Sequence, residues 1–214
     1  MMGIDLSAPR SVQLQRGAQL PAPAAGCVWR LESGALRLHK EHSCNSEALV
    51  SLALPDDLIG VERRVGLPLP MLGLAILPAT LAELPVADAE LPALVKSAYM
   101  CALQRSADMV VLRGGPVPNR VRHLLLLIAE GQRKDAGPVD IALPSLRDIA
   151  DIVSTTRETA SRILGGLKKH DLLHDRKAKA GHLKVPDLRL FSAAPGMTCS
   201  TQLATERLSR LYLS

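Results

Sequence analysis

Aromatic residues are nearly absent: one Trp, two Tyr and one Phe make up 2% of the 214 residues. Proteins that grip single-stranded nucleic acid stack its bases on aromatic side chains, so that mode of binding is not expected. The core must instead come from Leu, Ile, Val and Ala, and 47% hydrophobic residues are enough for one or two domains. The four cysteines, Cys27, Cys44, Cys101 and Cys199, lie far apart without a CxxC pair. No basic-then-apolar leader opens the sequence, and the expectation is a cytoplasmic chain with reduced thiols. One uncharged run, Val65 to Ala82, approaches the length of a membrane span. It carries Pro68, Pro70 and Pro78 and two glycines, which fit turns and strand ends rather than a helix, so no membrane partner is expected. Nor is there a phosphate loop, a zinc-ligand spacing or a nucleophile–base–acid set. Catalytic residues, metal ligands and cofactor are therefore left unassigned, and an enzyme is not the expectation.

What the chain does have is an uneven distribution of charge. Its formal net charge is +5. Between Arg157 and Arg189 nine Lys or Arg stand against four acids, so this segment alone carries the whole excess. Such a concentration is the electrostatic footprint of a site for an anionic partner.

Along the chain, "CVWRLESGALRLHK" reads as strands about a turn at Ser33-Gly34, and "EALVSLAL" follows a polar loop. Short strands with Gly and Pro turns continue to about Pro85, which suggests a small antiparallel barrel or roll. Residues 88–113 change character. Leu91, Leu94, Ala98, Cys101, Arg105, Met109 and Leu112 recur in steps of three and four, a helical stripe. Packing within one domain and pairing with a second copy across a two-fold axis both fit that stripe. "GGPVPN" then breaks the helix, and "NRVRHLLLLIAEG" starts another. Ser145-Leu-Arg-Asp148 is a capping box that opens a short helix to about Val153. "LLHDRKAKAGHLKV" reads as two short strands around a basic turn, and Gln202 to Leu213 fits an amphipathic helix.

Between the capping box and the basic turn lies "STTRETASRIL", expected to be helical to about His170. At roughly 100° per residue, Arg157, Glu158, Ser161 and Arg162 share one side, and Ala160, Ile163, Leu164 and Leu167 the other. Thr155 or Thr156 can cap its start. Arg matches the O6 and N7 acceptors of guanine in two hydrogen bonds, Glu accepts from cytosine N4, and Ser suits either edge. An ordinary amphipathic helix with i,i+4 charge pairs fits the same spacing. The capped helix before it, the basic hairpin after it and the local charge excess favour the groove of a DNA duplex. Lys177 and Lys179 in the hairpin, with Thr156, are the candidate phosphate contacts, which set affinity and register but not sequence.

"SLRDIADIVSTTRETASRILGGLKKHDLL" resembles the winged helix-turn-helix of the cyclic-AMP receptor/fumarate–nitrate regulator (Crp/Fnr) family, and "LESGALRL" with "LVSLALPDDLIGVE" resembles that family's β-roll. The resemblance implies an α+β fold: an antiparallel β-roll effector-type domain over 1–87, a dimerisation helix over 88–113, a winged helix-turn-helix over 114–190 and an extension over 191–214. It implies a homodimeric, DNA-binding transcription regulator that reads an inverted repeat and works with RNA polymerase. Leu91, Leu94, Ala98, Cys101, Arg105, Met109 and Leu112 become the expected dimer interface. Arg157, Glu158 and Arg162 fall where the receptor branch has its base-reading set, while Ser161 matches the fumarate–nitrate branch. Glu158 and Arg162 are then expected at the G·C pair shared by TGTGA-type and TTGAT-type half-sites. Ser154 departs from the family's usual glycine, at a place where a residue with φ above zero is expected.

The sensing half departs further. Cyclic-nucleotide-binding relatives use a Glu just after the "IG" turn and an Arg-Ser pair on the cyclic phosphate. Here Glu62 comes one place late and the pair falls near Leu69-Pro70, neither of which supplies a cation or hydrogen-bond donors to an anion. Arg63 and Arg64 are possible substitutes, yet a cyclic nucleotide is not the expected effector. No cysteine precedes Cys27, so the iron–sulfur cluster of the fumarate–nitrate branch is not expected either. His39, His42 and Cys44 are ligand types with a spacing that arises readily by chance. Cys101 reads first as a small buried hydrophobe, second as a redox switch across the two-fold axis. The alternative function is an effector-binding protein whose basic domain docks a protein partner.

Overall fold

The computed structural model describes residues 10–40, 48–67, 71–132, 139–169, 173–175 and 182–185. The N-terminal half is a roll of two antiparallel sheets. Strands β1 (Ser11–Leu14), β2 (Cys27–Ser33), β5 (Leu58–Ile59) and β7 (Ala79–Pro85) form one, in the order β1-β7-β2-β5. Strands β3 (Leu36–Lys40), β4 (Ala48–Ala53) and β6 (Met71–Ala75) form the other, in the order β4-β3-β6. Alternation along β2 and β7 sends Trp29, Leu31, Ala79 and Leu81 inward to meet Leu36, Ala53 and Ala75 from the opposite sheet. Trp29 is fully buried, and its indole N–H donates to the Pro21 carbonyl at 2.9 Å. The turn between β2 and β3 admits only glycine. Gly34 sits at φ 90°, and a Cβ there would lie 2.2 Å from the Pro78 carbonyl oxygen. After β5 comes a short helix, α1 (Val61–Arg64).

The helices follow: α2 (Leu91–Arg113), α3 (Val117–Gln132), α4 (Leu146–Ile152) and α5 (Arg157–Lys169). A small sheet, β8 (Val139–Ala142), β9 (His174–Asp175) and β10 (His182–Val185), pairs in the order β8-β10-β9 and makes the wing. Pro92 at the start of α2 and Gly114 at its end bound that helix where proline and glycine are best tolerated. The capping box of α4 forms as the sequence implies: Asp148 N–H donates to Ser145 Oγ at 3.1 Å, and Ser145 N–H to the Asp148 carboxylate at 3.3 Å. Ser145→Ala should lower stability by about 1 kcal/mol, read as a shift of the denaturant midpoint at unchanged slope.

An apolar core joins the two halves. Ala35, Leu52, Leu54, Ile76 and Leu77 from the roll meet Leu112 of α2. The same core continues through Val121, Leu124, Leu125 and Ile128 of α3 to Ile141, Ile149, Ala160 and Leu164. Gly131 lets α3 come against the roll, since a Cβ there would stand 2.8 Å from Pro55 Cδ. Polar links reinforce the joint. Arg16 donates to the carbonyls of Ile76 at 3.1 Å and Leu143 at 2.7 Å, and Arg37 lies 3.7 Å from Asp151 of α4. Among the described residues no helix is long and apolar enough to cross a membrane. The expected helix over 202–213 lies outside the described residues.

The packing separates the two readings of the stripe along α2. Its C-terminal part faces the chain's own roll. Leu112 is fully buried in the shared core and Met109 packs against that core. Ala98, Cys101 and Arg105 line a cavity under the roll, while Leu91 and Leu94 are half-buried. Helix α2 has a second apolar stripe on the opposite side. Met100 is 50% exposed, Leu103 48% and Val110 70%, with Ala107 exposed between them. A helix apolar on two sides shows the sequence reader two stripes of equal spacing, and only the fold says which is covered.

Candidate nucleic-acid interface

Helix α5 owes its position to its back. Ala160, Leu164 and Leu167 are buried in the shared core and Ile163 is half-buried against it. Arg157, Glu158, Ser161 and Arg162 consequently project from the first two turns and are all exposed. Thr156 caps the helix: its Oγ1 accepts from Thr159 N–H at 3.2 Å and donates to Thr159 Oγ1 at 3.1 Å. Glu158 is held below the usual carboxylate range by its own backbone N–H, then by the Thr156 hydroxyl. The helix start therefore presents an ionised acceptor at neutral pH, flanked by guanidiniums on both sides of it in sequence.

The turn between α4 and α5 is fixed from behind. Ser154 takes φ 52°, the left-handed conformation expected at this place. Arg120 of α3 donates to the Val153 carbonyl at 2.7 Å and to the Ser154 carbonyl at 3.3 Å. Arg113, the last residue of α2, donates to Ser154 Oγ at 3.0 Å. These arginines were not singled out from the sequence. The only local hint is a pair of arginines in an otherwise apolar helical run, Arg120 and Arg122, because the acceptors of Arg113 and Arg120 lie more than thirty residues further on.

A second set, of which the sequence reading named only Arg105, joins the roll to the helices. Arg105 Nε donates to Asp57 at 2.7 Å and its NH1 to Asp108 at 2.8 Å. Asp57 also accepts from Leu54 N–H at 2.8 Å, and Asp108 faces His123 Nε2 of α3 at 3.5 Å. Burial alone pulls Arg105 down, but its bonds and charge pairing with Asp57 and Asp108 outweigh that and hold it above its usual value. Burial pushes Asp108 up, yet His123 and Arg105 leave it below the ordinary carboxylate range. The group is a polar strut in a largely buried joint, where each member depends on the others.

Lys177 and Lys179, His42, Cys44 and the Leu69-Pro70 pair lie outside the described residues. His39 is buried, and no group of metal-binding side chains occurs among the described residues. Arg64 is engaged with Asp88 at 2.8 Å and with the Val86 carbonyl at 3.1 Å, Arg63 is exposed, and Glu62 lines the cavity under the roll. Cys101 is half-buried on that same cavity.

Residues 119–193 match the model of the Crp-like helix-turn-helix domain. Among solved structures the chain is similar to FixK2 from Bradyrhizobium japonicum, with 21% identity over 86% of this chain and 96% of that one, TM-score 0.66. It is also similar to TTHB099, a CRP-family transcriptional regulator from Thermus thermophilus, with 21% identity over 85% and 94% and TM-score 0.65. A third is CLP, the c-di-GMP responsive global regulator of Xanthomonas campestris, with 16% identity over 83% and 94% and TM-score 0.54. No curated protein matches the sequence. The chain thus carries a Crp-like helix-turn-helix behind a cyclic-nucleotide-binding-like roll, the fold of Crp/Fnr-type transcription regulators.

Proposed function

We propose that the protein is a homodimeric transcription regulator that reads an inverted repeat in double-stranded DNA through the start of α5. One observation carries this reading: Arg157, Glu158, Ser161 and Arg162 stand exposed together on a helix whose opposite face is locked into the core. In the geometry of helix-turn-helix docking, the N-terminal residues of the second helix reach base edges while the first helix crosses the backbone. Arg162 and Glu158 then serve one G·C pair, the guanidinium on guanine and the carboxylate on cytosine N4.

The second copy pairs through Met100, Leu103, Ala107 and Val110. Their spacing of three, four and three residues is that of a coiled-coil seam. Among the described residues, three of the eight exposed large hydrophobics lie on it. Two such subunits place two recognition helices about one turn of DNA apart. The roll works without a cyclic nucleotide, the protein has no catalytic role of its own, and RNA polymerase is its partner on DNA in the cytoplasm.

Selection from a pool of random duplexes tests the reading. An inverted repeat with a G·C pair at matching places in both halves should be enriched. A basic domain that docks a protein instead would enrich nothing, and the proposal would fall. Lys177→Ala and Lys179→Ala should each weaken binding to all sequences alike and reduce the slope of log affinity against log salt by about 1.

A further inference from the structure

Between the roll and α2 lies a cavity of about 570 Å³, a volume usual for small-molecule sites. Leu52, Ile59, Val95, Ala98 and Met109 give it an apolar wall. Four of the eight exposed large hydrophobics among the described residues, Val50, Val65, Leu67 and Tyr99, also stand on its lining. The exposed apolar surface of the described chain is therefore gathered here and on the α2 seam, with Leu146 the remainder. Apolar patches so concentrated mark sites of binding.

The cavity's charges decide what it takes. Among the described residues Arg105 is the one cation on the lining, and two carboxylates already hold it, Asp57 at 2.7 Å and Asp108 at 2.8 Å. Asp57 and Glu62 add negative charge to the same wall. An entering anion finds no uncommitted cation among these lining residues and meets like charges in a partly buried space. The Cys101 thiol registers the same conditions, pushed up first by burial and then by the Asp57 carboxylate.

We propose that this cavity is an effector site for an uncharged, mainly apolar small molecule, and that it excludes nucleotide-like anions. The molecule's contacts reach the joint between the halves. Arg105 leads through Asp108 to His123 of α3, and Met109 packs on the core shared with α5. An occupant that pushes on either side chain shifts the base of the helix-turn-helix. The word effector rests on the regulator reading above; the binding itself does not.

Two dyes with one skeleton test it on the full-length protein: N-phenyl-1-naphthylamine, which is uncharged, and 1-anilinonaphthalene-8-sulfonate, which is an anion. The neutral dye should brighten and saturate at one per chain. The sulfonate should bind at least about tenfold more weakly, the least expected for an unpaired charge in a desolvated site. Millimolar cyclic AMP should displace neither. Ala98→Phe fills the cavity from α2 and should weaken the neutral dye about tenfold. Ala102→Phe, on the exposed part of the same lining, is the second variant should the first fail to fold. Equal affinity for the two dyes, displacement by cyclic AMP, or unchanged affinity in folded variants overturns the proposal. So does binding of the neutral dye to a monomeric variant alone, which would mean that a second copy fills the groove. Duplex selection is read without any dye, so failure of the cavity and failure of the DNA reading are separable.

Discussion

Met100→Asp combined with Leu103→Asp should leave the chain monomeric by sedimentation and lower its affinity for an inverted repeat by about 10²–10⁴-fold. Both side chains are half exposed on the outer face of α2, so the substitutions remove nothing from the core. In a paired seam each aspartate instead meets its own copy across the two-fold axis, a buried like-charge contact with no compensating partner. Loss of pairing converts the second DNA contact from an intramolecular to a bimolecular event, which sets the size of the effect. Affinity for a single half-site should stay close to that of the parent. Thermal unfolding of dilute protein should stay close as well, because Leu112 and Met109 on the inner face are untouched. A dimer that survives the double substitution would place the interface elsewhere.

Arg162→Ala should cost about 1–3 kcal/mol of binding to the selected inverted repeat and relax the preference at one G·C pair. The arginine is exposed and the helix that carries it is anchored by Ala160, Leu164 and Leu167, so stability should change by less than about 0.5 kcal/mol. The loss should also depend on sequence: it is largest on the preferred duplex and smallest on one already changed at that pair. A loss of the same size on every duplex would make Arg162 a phosphate contact, which sets register but reads nothing.

How much of this could be read in the sequence depended on how local each feature is. The α4 cap needs only Ser145 and Asp148, three residues apart, and it forms as written. The two faces of α5 follow from helical period alone, and Ser154 shows its positive φ at the place where the turn demands one. Strand β1 was missed because Ser11–Leu14 has no pattern of its own. It exists by pairing with Ala79–Ala82 across the roll. The pairings of Arg120 and Arg105 were missed for the same reason, since their partners lie 33 and 48 residues away in the chain. The two sides of α2 are hard to tell apart for a different one. Leu112 and Leu103 look alike in composition and period, and burial against the roll is what separates them. The sensing half was legible mainly by what it lacks. The chemistry of its cavity depends on Asp57, from the turn before β5, holding Arg105 from 48 residues away in the chain.

The most direct test of base reading by α5 is a double-mutant cycle between Arg162 and one guanine of the selected half-site. Replacing that guanine by 7-deazaguanine deletes the N7 acceptor without disturbing Watson–Crick pairing. If the guanidinium sits on that base, the parent protein loses about 1–3 kcal/mol on the modified duplex, and Arg162→Ala loses almost nothing further. Losses that simply add, with no coupling at any guanine of the repeat, would show that the exposed face of α5 does not read the groove.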